Sequence, residues 1–240
     1  MRLATCLLCL FLALPASVAG AETLVLNTAH SAPRSRPDGS GYEDRIVAEA
    51  FRRMGVGLRI THLPSERALQ NANQGVDDGD FARVAGLSAL YPNLVMVPEP
   101  VDEFVFTAFT KDPALQVQGW DGLKPCNVGL ITGWKIVEAN TRGVRSVTRV
   151  KDEEALFALL DRGRADVVVV DLLLGQETVR RMGLNGVRAL EPPLARRDMH
   201  IYLHKRHARL VPRLAEALSQ MKRDGTVQRL TRAGLAEAAP

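Results

Sequence analysis

The chain has 240 residues, 31 Lys+Arg, 27 Asp+Glu and 46% hydrophobic content, which excludes a disordered or fibrous protein and allows one large domain or two modest ones. The formal net charge of +4 is made of interspersed charges of both signs, with no run of five or more bases, so it offers no grip on a nucleic-acid backbone.

Arg2 gives a short positive start, residues 3–14 are almost wholly apolar, and Pro15 is followed by Ser17, Val18, Ala19, Gly20 and Ala21, small residues suited to a peptidase. Residues 1–21 therefore read as a secretory signal cut near Ala21, and the mature chain is expected in the periplasm. The apolar stretch is well short of the roughly 20 residues of a membrane span. Cys6 and Cys9 fall inside this leader, which leaves Cys126 without a disulfide partner; beside Pro125 and an apolar strand it reads as a small core residue.

Residues 23–27 form a β-type run, 30–41 a Pro/Ser/Gly-rich loop, and 42–54 an amphipathic helix closed by Gly55. A strand at 57–62, a helix from Pro64-Ser65 to about Gly75 and a strand at 80–85 complete a βαβαβ unit. Shorter strand-like runs at 94–97 and 104–110 follow, separated by Pro98 and Pro100. A second unit then runs through a strand at 127–131, a helix at 134–140, a strand at 144–150, a helix at 151–162, an apolar strand at 167–170 and a helix ending at Met182. Such alternation calls for mostly parallel sheets with crossover helices. The last segment, a strand at 199–205, a helix at 210–223 and a final turn or two after Gly225, has no sheet of its own and is expected to dock on the first half. Two hinge strands would then cross near Thr110 and Lys205. The expected division is a signal at 1–21, one lobe from 22–110 plus 199–240, and a second from 111–198, with a ligand cleft between them.

Several stretches carry a family resemblance: Gly41-Tyr42-Glu43-Asp44, residues 73–79 (NQGVDDG), residues 120–124 (WDGLK), residues 129–133 (GLITG), residues 160–171 (LDRGRADVVVVD) and residues 222–226 (KRDGT). On these the mature chain resembles, nearly end to end, bacterial extracellular solute-binding proteins of family 3, the polar amino-acid receptors of ABC transporters. The resemblance implies an α/β, periplasmic-binding-protein-like fold: two α/β lobes joined by two hinge strands. It departs in one place. The family's carboxylate-clamping arginine, a short distance after the third strand, has no counterpart, because no Lys or Arg occurs between Arg83 and Lys111.

The candidate ligand residues each carry two readings. Asp171 ends a buried strand, and the resemblance equates it with the aspartate that meets a ligand ammonium; it is equally placed to cap the next helix. Thr132-Gly133-Trp134-Lys135 forms a strand-to-helix turn whose free N–H groups favour an anion, with Lys135 adding charge and Trp134 either stacking on a ligand or packing. Arg83 is the nearby substitute clamp, or else a structural partner of Asp77, Asp78 or Glu66. Tyr42 lies where the family places an aromatic wall, or seats the first helix. Arg67 stands at the opening of the second helix, and Ser88 and Tyr91 follow the third strand. His200, His204 and His207 sit at a spacing that would converge on a helix, but on a strand the first two lie about 13 Å apart, so no metal site is expected there.

The common catalytic motifs are missing. The leading expectation is a non-enzymatic, monomeric receptor without cofactors that takes a small polar, carboxylate-bearing ligand and presents it to an ABC transporter permease or a membrane sensor. The alternatives are a sensing module for a signalling partner and, further off, a dehydratase or lyase on the same scaffold, with Glu99 or Glu103 as the acid.

Overall fold

In the computed structural model, which describes residues 22–238, the chain runs β1 (Thr23–Thr28), α1 (Tyr42–Met54), β2 (Gly57–His62), α2 (Ser65–Gln74), β3 (Gly79–Val84), β4 (Leu94–Met96) and β5 (Asp102–Thr110). It continues with β6 (Asn127–Ile131), α3 (Lys135–Asn140), β7 (Ser146–Val150), α4 (Glu153–Asp161), β8 (Val167–Asp171), α5 (Leu172–Met182), β9 (Arg188–Ala189), β10 (Ala195–His204), α6 (Val211–Arg223) and α7 (Thr226–Ala238). The leader expected at residues 1–21 lies outside the described residues. No helix among those described is long and apolar enough to cross a membrane.

The strands hydrogen-bond in the order β2-β1-β3-β10-β5-β8-β6-β7, with β4 beside β10 and β9 beside β5. At each end of this order the pairing is parallel, β1 with β2 and β3, and β6 with β7 and β8, as crossover helices require. Val167 to Val170 of β8 are fully buried, which explains their unbroken apolar run: helices or neighbouring strands cover both faces. Each such valine is worth about 1.5–3 kcal/mol of transfer free energy. In the same lobe Phe109 meets Phe157 edge-on, with ring centres 5.3 Å apart. The fold is thus α/β and periplasmic-binding-protein-like, with two lobes. The final helix is longer than the turn or two expected, and α6 and α7 both pack on α1.

The strands that cross between lobes are β5 and β10, and they do so earlier than Thr110 and Lys205. Met199 of β10 pairs with Val84 of β3, while Ala195–Met199 pair antiparallel with Asp102–Phe106 of β5. Phe106 to Phe109 then pair with β8. Residues 103–105 and 196–198 therefore pair only with each other among the described residues, a ribbon of three rungs between the lobes. A strand that changes partner midway carries no mark in its sequence. Arg196, Arg197 and Asp198 read as loop because this ribbon lacks a helix layer, so polar side chains are tolerated on it.

Candidate functional site

The loop between β1 and α1 is tied down by the first turn of α1. The amide of Tyr42 donates to the Pro33 carbonyl (3.2 Å), that of Glu43 to the Arg34 carbonyl (2.9 Å), and those of Arg36 and Gly41 to Asp44 Oδ2 (2.8 and 3.1 Å). Gly41 is required for this approach, since a Cβ there would lie 2.3 Å from the Arg34 carbonyl oxygen. The loop so held sends the side chain of Arg34 into the space between the lobes, where the residue is only 3% exposed.

The Arg34 guanidinium there meets carboxylates from three elements. Its Nη2 and Nε donate to Asp171 Oδ2, at the end of β8, at 3.0 and 3.3 Å. Its Nη1 donates to Glu43 Oε1 of α1 at 3.3 Å, and also to Asp102 of β5 and to the hydroxyl of Tyr42. The Tyr42 hydroxyl in turn donates to Asp102 Oδ2 (2.8 Å). The guanidinium carbon lies 3.9 Å from the centre of the Phe104 ring, a cation–π contact worth about 0.5–2 kcal/mol. Burial alone would lower the Arg34 pKa, but Asp171, Tyr42 and Glu43 more than offset it and hold the group above its usual value. Burial would likewise raise the Glu43 carboxyl; His30, whose Nδ1 is 2.7 Å away, and Arg34 outweigh that and keep it below the ordinary carboxylate range.

Of the two readings of Asp171, the structure shows the helix cap. It caps α5, accepting from the Leu174 amide (3.2 Å), accepts the Val105 amide on Oδ1 (2.9 Å), and faces the cleft, where its partner is Arg34. Arg83 forms a two-pronged pair with Asp80 (2.8 and 2.9 Å) and donates to Ser65 Oγ (2.6 Å), so its partner is Asp80 and not Asp77, Asp78 or Glu66. At the turn after β6, the Gly133 amide donates to Glu138 Oε1 (2.8 Å), Thr132 N–H to the Val150 carbonyl (2.9 Å) and Trp134 N–H to the Ile131 carbonyl (3.2 Å). The carboxylate at that turn is thus the chain's own, and α3, six residues long, is a short helix. Trp134 packs in the core, edge-on to Phe106 with ring centres 5.9 Å apart. Tyr42 both seats α1 and faces Arg34. Arg67 is exposed on α2, and Ser88 is exposed with its hydroxyl on the Leu94 carbonyl (2.7 Å), so neither joins the others.

Lys135 reaches across the cleft. Its Nζ is 2.5 Å from Glu66 Oε2 of the opposite lobe and 3.0 Å from Glu138 Oε2, while the Tyr91 hydroxyl donates to Glu66 Oε1 (3.0 Å). Desolvation would lower the Lys135 pKa, but the bonds to Glu66 and Glu138 raise it above the usual lysine value. Ser31 Oγ donates to Glu153 Oε1 from lobe to lobe (3.2 Å), and burial pushes the Glu153 carboxyl up. At Gly133 the lobes touch backbone to backbone: a Cβ there would lie 2.4 Å from the Glu66 amide nitrogen. The lobes are shut. Between them Arg83, Leu87, Phe104, Trp134 and Lys135 help to line a cavity of about 30 Å³, room for a water or two.

Arg34, Asp102 and Phe104 escaped the sequence reading, Glu43 entered it only within a family-like stretch, and Glu66 only as a possible partner of Arg83. The only local signal is a pair of arginines set between prolines, Pro33-Arg34-Ser35-Arg36-Pro37, directly ahead of an acidic helix start. Glu99 is ion-paired with Lys222 (2.5 Å) and Glu103 with Arg196 (3.0 Å), the latter pair at the edge of a hollow that Leu87 of one lobe and Lys135 of the other also line. His200 Nδ1 bonds the Val97 carbonyl (3.0 Å) and His207 Nε2 lies 2.6 Å from Asp78, so these imidazoles have separate partners. Cys126 is buried.

No family model matches the sequence. An uncharacterized protein of Shewanella oneidensis is 25% identical over 206 residues, covering 78% of this chain and 74% of its own. Among solved structures, a histidine kinase sensor domain with similarity to periplasmic binding proteins superposes with a TM-score of 0.79 at 16% identity, over 90% of this chain and 96% of that one. A mutant of the T. maritima protein ArgBP follows at 0.75 and 18% (89% and 95% covered), and the amino-acid transporter substrate-binding protein AbpA of Streptococcus pneumoniae, bound to L-arginine, at 0.73 and 15% (91% and 96% covered). These likenesses establish the fold. These three neighbours are two binding proteins and the sensor domain of a histidine kinase.

Proposed function

We propose that the chain is a two-lobed periplasmic receptor that closes on a small polar, carboxylate-bearing, amino-acid-like solute and presents its closed form to an ABC transporter permease or a membrane sensor. The observation that carries this reading is the cavity lined from both lobes, by Arg83 and Leu87 on one side and Trp134 and Lys135 on the other. A solute that touches both walls only when they are shut shifts the population toward the shut form. Arg83 and Lys135 on the cavity wall are cations held by carboxylates of the chain itself, and a solute carboxylate would share their remaining donors. The arginine-bound neighbour AbpA supports an amino-acid-like solute. With residues 103–105 and 196–198 as the hinge, the lobe division moves a few residues from 22–110 plus 199–240 against 111–198.

A sensing module read by a signalling partner is the second reading, favoured by the smallness of the cavity in the shut form and by the sensor-domain likeness. The test is a thermal-shift screen against amino acids, organic acids and polyamines. A solute at 100 times its Kd adds about 2.7 kcal/mol, which at roughly 2–4 °C per kcal/mol for this size is about 5–11 °C. A panel in which nothing moves the transition would overturn the solute-receptor reading and leave the partner-sensing one.

A further inference from the structure

The cleft holds a complete recognition site for a guanidinium, and the group inside it belongs to the chain. Asp171 supplies one oxygen to two nitrogens of Arg34, Glu43 and Asp102 take the third nitrogen, the Tyr42 hydroxyl closes the edge, and the Phe104 ring lies flat beneath the carbon. These groups come from the first lobe, the hinge ribbon and the second lobe, so the site exists only while the lobes are shut. Arg34 is fixed to the first lobe through its backbone, where its own carbonyl accepts from Glu43 and its amide donates to Ser31 (3.1 Å). Its tie to Asp171 is therefore a bond between lobes.

We propose that Arg34 is a tethered ligand: it occupies the position of a free cation, draws Asp171 of the second lobe onto the first, and keeps the protein shut without a solute. This rests on the two-lobed receptor reading and deepens it, because any solute then enters a cleft whose acidic pole is already neutralised. Three carboxylates and a ring held around a planar cation also define what the site accepts once Arg34 is removed, namely a small alkylguanidinium.

The experiment is chemical rescue of Arg34→Ala, read by thermal unfolding and by small-angle X-ray scattering. Removing the cation leaves Asp171, Glu43 and Asp102 facing one another, so the variant is expected to be more expanded than the parent and to melt several degrees lower. Millimolar methylguanidinium is expected to restore both quantities, while sodium chloride or tetramethylammonium chloride at the same ionic strength restores neither, and the parent responds to none of them. A variant as compact as the parent, or one that methylguanidinium stabilises no more than sodium chloride does, overturns the proposal. If Arg34→Ala does not fold, Arg34→Lys is measured in the same way. An ammonium lacks the planar fork, so partial expansion is expected, and a lysine variant identical to the parent in size and melting overturns the proposal. A failed solute screen on the parent protein bears on the receptor reading alone, since the rescue uses no natural solute.

Discussion

Replacing Gly133 by alanine tests whether the lobes meet where the coordinates place them. Gly133 has φ +92°, and a Cβ built there would lie 2.4 Å from the Glu66 amide nitrogen and 2.8 Å from the Ser65 carbonyl carbon, both across the cleft. Ordinary contact begins near 3.4 Å, so the backbones must separate by about 1 Å. Packing conflicts of this size cost about 1–3 kcal/mol, here charged to the shut form alone, which lowers the ratio of shut to open molecules roughly 5- to 150-fold. The left-handed backbone adds about 1–2 kcal/mol in either form. Gly143→Ala isolates that second term, because Gly143 has φ +85° with nothing within 4 Å of a Cβ. Spin labels at the exposed positions Ala48 and Ala139, one on each lobe, report the separation by double electron–electron resonance. Gly133→Ala is expected to lengthen the distance distribution and Gly143→Ala to leave it unchanged. Equal distributions for Gly133→Ala and the parent, or an equal shift in both variants, would refute the reasoning.

Arg83→Ala leaves the fully buried Asp80 without its partner, an arrangement that costs about 3–5 kcal/mol in urea unfolding, whereas Arg83→Met with Asp80→Leu is expected to lose much less; equal losses would show that the pair is not the cause. The Lys135–Glu66 bridge is partly exposed and worth about 0.2–1 kcal/mol. Burial works to raise Glu66, but Lys135, Tyr91 and Gln70 hold it below 4.5, so its contribution is complete above that value and is lost as pH falls through the lowered pKa. Lys135 lies above 10.5, so its contribution is complete below that value and is lost as pH rises through the raised pKa. The shut fraction, followed by the same labels, should lose part of its acid decline in Glu66→Gln; an unchanged acid limb would exclude the bridge from closure.

Much of this architecture was legible in residue periodicity. The helix at 42–54 and the strands at 57–62 and 127–131 stand where alternation and glycine stops put them, because each is decided by its own burial pattern. The crossing point was not legible, since residues 102–110 are one continuous strand whose partner changes at Phe106. The cleft shows the same limit. Asp171 could be singled out because it ends a valine run, yet its partner Arg34 lies 137 residues earlier in a loop without periodicity. For Arg83 a structural ion pair could be foreseen beside the clamp reading but not its partner, since pairing with Asp80 at i,i+3 within a strand is not a pattern that helical spacing rules would suggest.

The three-rung ribbon sets the mechanics of the molecule. Among the described residues its two strands have no other strand partner, and two-stranded ribbons accept larger twists than broad sheets do. Separation of the jaws is therefore expected to twist a short strip, and the amide protons that bridge its two strands should exchange slowly at both ends of the swing, while the Val105 amide, bonded to Asp171, should exchange faster once the jaws part.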